Sequence, residues 1–202
     1  MPRTLLPWLT ALLIALSGCT ATTSSRLIPS PQAPVCQSNA KALILWATQW
    51  RADQKDIAAR ESAAALGIGE FFNGSGCFSS ASITRLPQYS TASVQAAVTN
   101  AGTRYDKIVL VAVRELGPTV RIGGSLALVE GGTEVVLDVS EYTPARPAPR
   151  TFSVEWRSGG PGVIKGVATL PHDLQQALAS ALQPSLARSG VPAQKGAQSD
   201  FR

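Results

Sequence analysis

The sequence predicts a single α+β domain: one mixed β-sheet with helices packed on it, in the order β-α-β-α-β-β-β-β-α. Three observations carry this. The run "YDKIVLVAVREL" (105–116) is dense in Val, Leu and Ile, as a strand buried on both faces requires. Ahead of it, two segments with apolar residues near the helical period alternate with two short apolar runs, which is a βαβ opening. Beyond residue 118 the pattern turns to alternating residues broken by glycine pairs, a β meander. A βαβ opening followed by a meander implies a mixed sheet covered by helices.

Each element has its own justification. "KALILWATQW" (41–50) is a short apolar run and predicts a buried strand. In 51–72, Ile57, Ala64, Ala65, Ile68, Phe71 and Phe72 recur at helical spacing, with Asp53 as the expected N-cap and "NGSG" (73–76) as the stop. "FSSASITRL" (78–86) predicts the second strand. "STASVQAAVTNAG" (90–102) predicts a short helix capped by Ser90 or Thr91 and ended by Gly102. In 119–142 two arms are expected around a turn at Glu130-Gly131-Gly132-Thr133, with a bulge at Gly123-Gly124. "TPARPAPR" (143–150) predicts a bend and "TFSVEWRS" (151–158) the last strand. In 170–190, Leu174, Leu178, Leu182 and Leu186 line one side of a closing helix that Pro184 can end early.

The N-terminal segment carries an address. Arg3 precedes an apolar core from Leu5 to Leu16, which is shorter than the roughly 20 residues a membrane span needs and fits a signal h-region. The run ends in Leu16-Ser17-Gly18-Cys19. With those residues the chain resembles bacterial lipoprotein precursors, whose signal peptides close on a Leu, two small residues and a Cys. The resemblance implies that Cys19 is acylated and becomes the first residue of the mature protein. Its partner is then the lipid bilayer. Thr20 stands where an Asp would imply inner-membrane retention, so the implied location is the outer membrane, periplasm-facing. The expected organisation is a signal peptide over 1–18, the lipidated Cys and a flexible tether over 19–40, one periplasmic domain over 41–190, and a disordered tail over 191–202. The tether reading rests on Thr, Ser, Ala and Pro; such a segment spans about 25 Å.

If Cys19 carries lipid, Cys36 and Cys77 remain, an even number in an oxidising compartment, and a disulfide is the natural reading. Free buried thiols, a metal pair and a thiol nucleophile are the alternatives. A metal pair is disfavoured by a single His and the lack of any CxxC spacing. The 18 Lys and Arg against 13 Asp and Glu, net +5, are scattered along the chain. A nucleic-acid footprint would cluster that charge, so no nucleic-acid partner is expected.

Chemistry is hard to find. "GIGEFF" (67–72) has GxG at the end of a helix, whereas a dinucleotide site needs it between a strand and a helix. "GGSLA" (123–127) places Ser125 in a hairpin arm, not at a strand-to-helix elbow. His172, the only His, sits beside Pro171 and Asp173, residues that together describe a helix start. Glu115, Glu130, Glu134, Asp138, Glu141 and Glu155 are too dispersed to read as a catalytic carboxylate pair. Trp46, Trp50 and Trp156 are expected in the core, with an aromatic binding surface as the alternative. No catalytic residue, metal or cofactor is therefore expected.

The order of elements over 41–188, from the buried first strand through "CFSSASITRL" and "YDKIVLVAV" to the meander, is similar to periplasmic domains of outer-membrane lipoproteins. The curli-secretion lipoprotein, polysaccharide-export lipoproteins and activators of penicillin-binding proteins are examples. That likeness implies a non-enzymatic accessory that binds an envelope protein or self-assembles into a homo-oligomer. An auxiliary or carrier subunit of an envelope transport system, binding lipid or small solute, is the alternative. A periplasmic hydrolase using Ser125 and His172 is the next.

Overall fold

The central strand can be placed first, because its composition leaves it no exposed face. A computed structural model of the chain describes residues 21–122, 129–144, 146 and 148–183. In it the apolar run becomes part of β4 (Lys107–Ile122), with Val109, Val111 and Val113 buried on one face of the sheet and Ile108 and Leu110 on the other. Around it lie β1 (Thr22–Ile28), β2 (Gln37–Thr48), β3 (Phe78–Arg85), β5 (Val129–Tyr142) and β6 (Arg150–Pro161). They form one six-stranded sheet in the order β1-β6-β5-β4-β2-β3. The pairs β2–β3 and β2–β4 are parallel and the other three antiparallel, so the expected single mixed sheet is what forms.

Three helices cover it. α1 (Ile57–Gly74) and α3 (Leu170–Leu182) pack on one face and share the larger core with Trp46, Val111, Leu137, Val154 and Trp156. α2 (Thr91–Ala101) packs on the other face, over Leu43, Leu45, Ile108 and Leu110. α1 and α3 meet closely at Gly67, where a Cβ would stand 2.7 Å from the Pro171 carbonyl oxygen. "GIGEFF" is thus helix interior, and one of its glycines serves helix packing.

The helix signals hold for α2: Ser90 caps it and exchanges hydrogen bonds with Ser93, and Gly102 ends it at positive φ. For α1 the N-cap is Asp56, not Asp53. Asp53 lies in the preceding turn, and Arg60 Nε donates to the Lys55 carbonyl (2.8 Å) just ahead of the first helical turn. α3 stops at Leu182. Gln183 leaves helical backbone as the residue before a proline tends to, and Leu186 lies outside the described residues.

Three further expectations are corrected. The tether over 19–40 is, from Thr22 onward, part of the fold. β1 pairs with β6 along its whole length, Leu27 packs on the core, and Val35 is fully buried with its N–H donated to the Leu182 carbonyl at 2.9 Å. Composition misled because an edge strand is held by backbone hydrogen bonds that polar residues make as well as apolar ones. Second, the strands expected before and after Gly117-Pro118 are one strand with an irregularity between Val113 and Glu115. β2 pairs with β4 only as far as Val113, so Pro118 falls where β4 has a single neighbour and its missing N–H is tolerated. Third, the turn expected at Glu130–Thr133 is strand: Gly131 and Gly132 pair within β5, and the bulge expected at Gly123-Gly124 lies outside the described residues. A Cβ on Gly131 would meet the Val163 carbonyl at 2.0 Å, so these glycines serve close backbone approach rather than turning.

The Cys36–Cys77 disulfide joins the chain just before β2 to the chain just before β3, across Cα atoms 4.6 Å apart. Reduction should lower the melting temperature. The lost cross-link closes a loop worth about 4 kcal/mol in the chain-entropy account. Calorimetry with and without reductant, beside a thiol titration of the untreated protein, checks this. Free thiols before reduction, or an unchanged melting temperature, would contradict it.

Candidate functional site

Sequence-predicted site residues do not converge. Cys19 and Ser125 lie outside the described residues. Cys36 and Cys77 are joined to each other. His172 is exposed in the first turn of α3, and its Nε2 lies 2.9 Å from the Gln176 amide nitrogen one turn on. The dispersed carboxylates are mostly ion-paired one by one: Glu115 with Arg60 and Arg51, Glu134 with Arg157, Asp138 with Arg114, and Glu141 with Lys107 and Arg150. Trp46 and Trp156 are core residues, each with a cation over its ring, Arg85 at 5.1 Å and Lys165 at 5.7 Å. Trp50 follows the end of β2 and is half-buried. Arg85 also pairs with Glu61 at 2.6 Å. That hydrogen bond holds the Glu61 carboxyl below its usual range against the opposing push of burial, with a further contribution from the Thr48 hydroxyl.

Two polar clusters escaped the sequence reading. In the first, Asp173 is buried and accepts from Thr133 (2.6 Å), Lys165 (2.7 Å) and Thr169 (3.2 Å). Lys165 also donates to Ser158, which is itself buried. The charge of Lys165 is committed to Asp173, so it acts as a donor toward Ser158. The pattern "LPHDL" flagged Asp173 as a helix-start acid, which it is; its burial depends on β5 and on the loop before α3 arriving at the same point.

The second cluster lies where β4 begins and β5 ends. Glu141 is buried between Lys107 Nζ (2.7 Å) and Arg150 Nε (2.8 Å). Both cations also reach the N-terminal segment: Lys107 donates to the Val35 carbonyl and Arg150 to that of Ala33, each at 2.8 Å. One carboxylate thus holds two cations that together pin the chain entering β2. A cleft of about 640 Å³ opens beside this triad, lined by Gln37, Asn39, Asp106 and Arg146 among others. A second groove of about 350 Å³ lies between α2 and the sheet, lined by Val98, Tyr105, Ile108 and Tyr142. The two share Lys107, Thr143, Pro144 and Arg146. Burial, and more weakly the neighbouring Tyr89, raises the Tyr142 hydroxyl above its ordinary range.

The sheet's second face is covered unevenly. α2 packs over the β2 and β4 portion, while the β5, β6 and β1 portion presents half-exposed or exposed Val136, Asp138, Ser140, Ser153, Glu155, Arg157 and Arg26. Among the described residues no group of three or more His, Cys, Asp or Glu could hold a metal ion, and no helix is long and apolar enough to cross a membrane.

Comparison with known proteins gives structural likeness only. No protein-family profile matches the chain, and no curated protein matches its sequence. Among solved structures, the PelC dodecamer from Paraburkholderia phytofirmans is similar with a TM-score of 0.46 and 12% identity, over 78% of this chain and 96% of that one. A putative neuraminyllactose-binding hemagglutinin homolog from Helicobacter pylori gives 0.38 and 9%, over 80% and 91%. A DUF330 protein from Xanthomonas campestris gives 0.34 and 13%, over 80% and 88%.

Glu141→Gln should destabilise the domain by about 3 kcal/mol or more, because two mostly buried cations lose their shared carboxylate. Urea unfolding midpoints measure this. A change within about 0.5 kcal/mol, the range of an ordinary surface substitution, would show that the triad is dispensable.

Proposed function

We propose that this protein is a membrane-anchored, periplasm-facing accessory lipoprotein that binds an envelope protein or further copies of itself and catalyses no reaction. The half-covered sheet carries the reading. An antiparallel sheet can leave one face to solvent, and here that face presents polar side chains and charges of both signs spread over three strands. Such a surface suits a protein partner, since polar groups across an interface give specificity and orientation. Support also comes from the ion-paired carboxylates and from the commitment of Lys165 to Asp173, which leave the buried charge of the domain working within the fold. Leu16-Ser17-Gly18-Cys19 supports the lipid anchor, and Thr20 supports the outer membrane as its location. The alternative, a carrier of lipid or small solute, is favoured by one feature, the groove between α2 and the sheet, whose volume lies at the lower end for ligand sites.

A photo-crosslinking amino acid at Ser153, on the open face, should give a discrete adduct in intact cells, whereas one at Ser62, on the outer side of α1, should not. Equal crosslinking at both positions, or none at Ser153, overturns the docking role of this face. Co-purification of a stoichiometric small molecule with no protein adduct would instead favour the carrier.

His172→Ala should leave complementation of a deletion strain intact at wild-type abundance, with a stability change below about 0.5 kcal/mol. A hydrolase depending on this one imidazole would lose about 10² to 10⁴ in rate. Loss of rescue by a folded, correctly anchored variant would overturn the non-catalytic reading.

A further inference from the structure

One end of the sheet is tied to the N-terminus. Thr22, the first residue of β1, pairs with Gly159; Gly159 pairs with Gly132, and Gly132 with Thr119. The next rung outward holds Gly160, Gly131 and Val120, and the next Pro161, Glu130 and Arg121. Only Thr20 and Ala21 separate Thr22 from Cys19. An extended chain advances at most about 3.6 Å per residue, so Cys19 lies within about 11 Å of Thr22. With β1 built into the sheet, the separation of about 25 Å expected of a tether is not available.

The same end carries the two most exposed large aliphatic side chains among the described residues, Ile164 at 96% and Val120 at 70%, with Val167 at 41%. Ile164 is held out by its surroundings. The Val163 carbonyl lies over Gly131, the rung partner of Val120. Val163 N–H donates to the Gly160 carbonyl at 3.2 Å, and Gly162 turns the chain at positive φ. On the other side Lys165 is fastened to Asp173 and Ser158. Ile164 therefore projects from a fastened loop beside Val120.

We infer that this end of the sheet, with Val120 and Ile164 at its surface, lies directly on the lipid bilayer, and that the opposite end, with the Glu141 triad and its clefts, faces away from it. The occupant of the apolar patch is the lipid surface, because the acylated residue two positions before Ala21 confines the patch to membrane contact. Interfacial apolar groups reach about 5–10 Å into the headgroup boundary, which matches the reach of the short N-terminal link. The inference rests on the lipoprotein reading above and adds an orientation to it.

The test uses the full mature lipoprotein in phosphatidylethanolamine/phosphatidylglycerol vesicles containing a nitroxide-labelled lipid. Ile164→Cys and Thr103→Cys are each labelled with an environment-sensitive fluorophore, the native disulfide left intact. Thr103 is an exposed residue in the loop between α2 and β4, at the opposite end. The fluorophore at 164 should shift to the blue and lose about half its emission to the nitroxide, as expected for interfacial depth. The one at 103 should be unchanged. Acylation is verified on the same samples by labelled palmitate, which Cys19→Ala should fail to incorporate. Acylated protein whose fluorophore at 164 behaves like that at 103 overturns the orientation and leaves the anchor standing. Protein without palmitate on Cys19 overturns the anchor reading, and the orientation with it.

Discussion

Everything in this fold hangs on the two-sided burial of β4. It is the strand through which the parallel half, β3 and β2, joins the antiparallel half, β5, β6 and β1. Its Val, Ile and Leu residues must be covered on both faces, which is why α1 and α3 lie on one side and α2 on the other. Past Val113 the strand loses β2 as a neighbour and is freer to carry an irregularity and a proline. The same strand thus sets the core at one end and an open hairpin arm at the other.

That asymmetry gives the domain two unlike ends. At the start of β4, Glu141 draws Lys107 and Arg150 together, and these fasten the chain that leads into β2. The disulfide secures the same chain from the other side, next to the end of α3, whose last carbonyl takes the N–H groups of Val35 and Cys36. At the far end, Gly131 allows the 162–166 loop to lie against the sheet, and aliphatic side chains face outward. Buried charge organises one end and backbone proximity the other.

The N-terminal segment shows how physical context changes a residue's meaning. Thr22, Thr23, Ser24 and Ser25 show no alternation of apolar and polar residues that would mark a half-buried strand. Placed at the open edge of β6 they complete a ladder, and Ser25 reaches Ser180 on α3 at 3.0 Å. β1 covers the edge of β6 and is itself the outermost strand on that side of the sheet. β3 is the outermost strand on the opposite side.

Local physics alone determined much of this protein. Apolar periodicity and capping chemistry located α2, the strand cores around 41–48, 78–85 and 107–116, and the start of α3, because these signals depend on a residue and its near neighbours. The mixed sheet followed from their order, and the pairing of Cys36 with Cys77 from the count left once Cys19 is set aside. Tertiary structure decided the rest. Whether Gly131-Gly132 turns or runs straight depends on Val163, more than thirty residues away. Whether Asp173 is a surface cap or a buried acceptor depends on Thr133 and Lys165. Whether Thr22–Ile28 is linker or strand depends on β6, whose free edge exists only after the sheet is assembled. In each case the deciding contact is long-range, and a backbone hydrogen bond or a buried ion pair leaves little trace in the residues on either side of it.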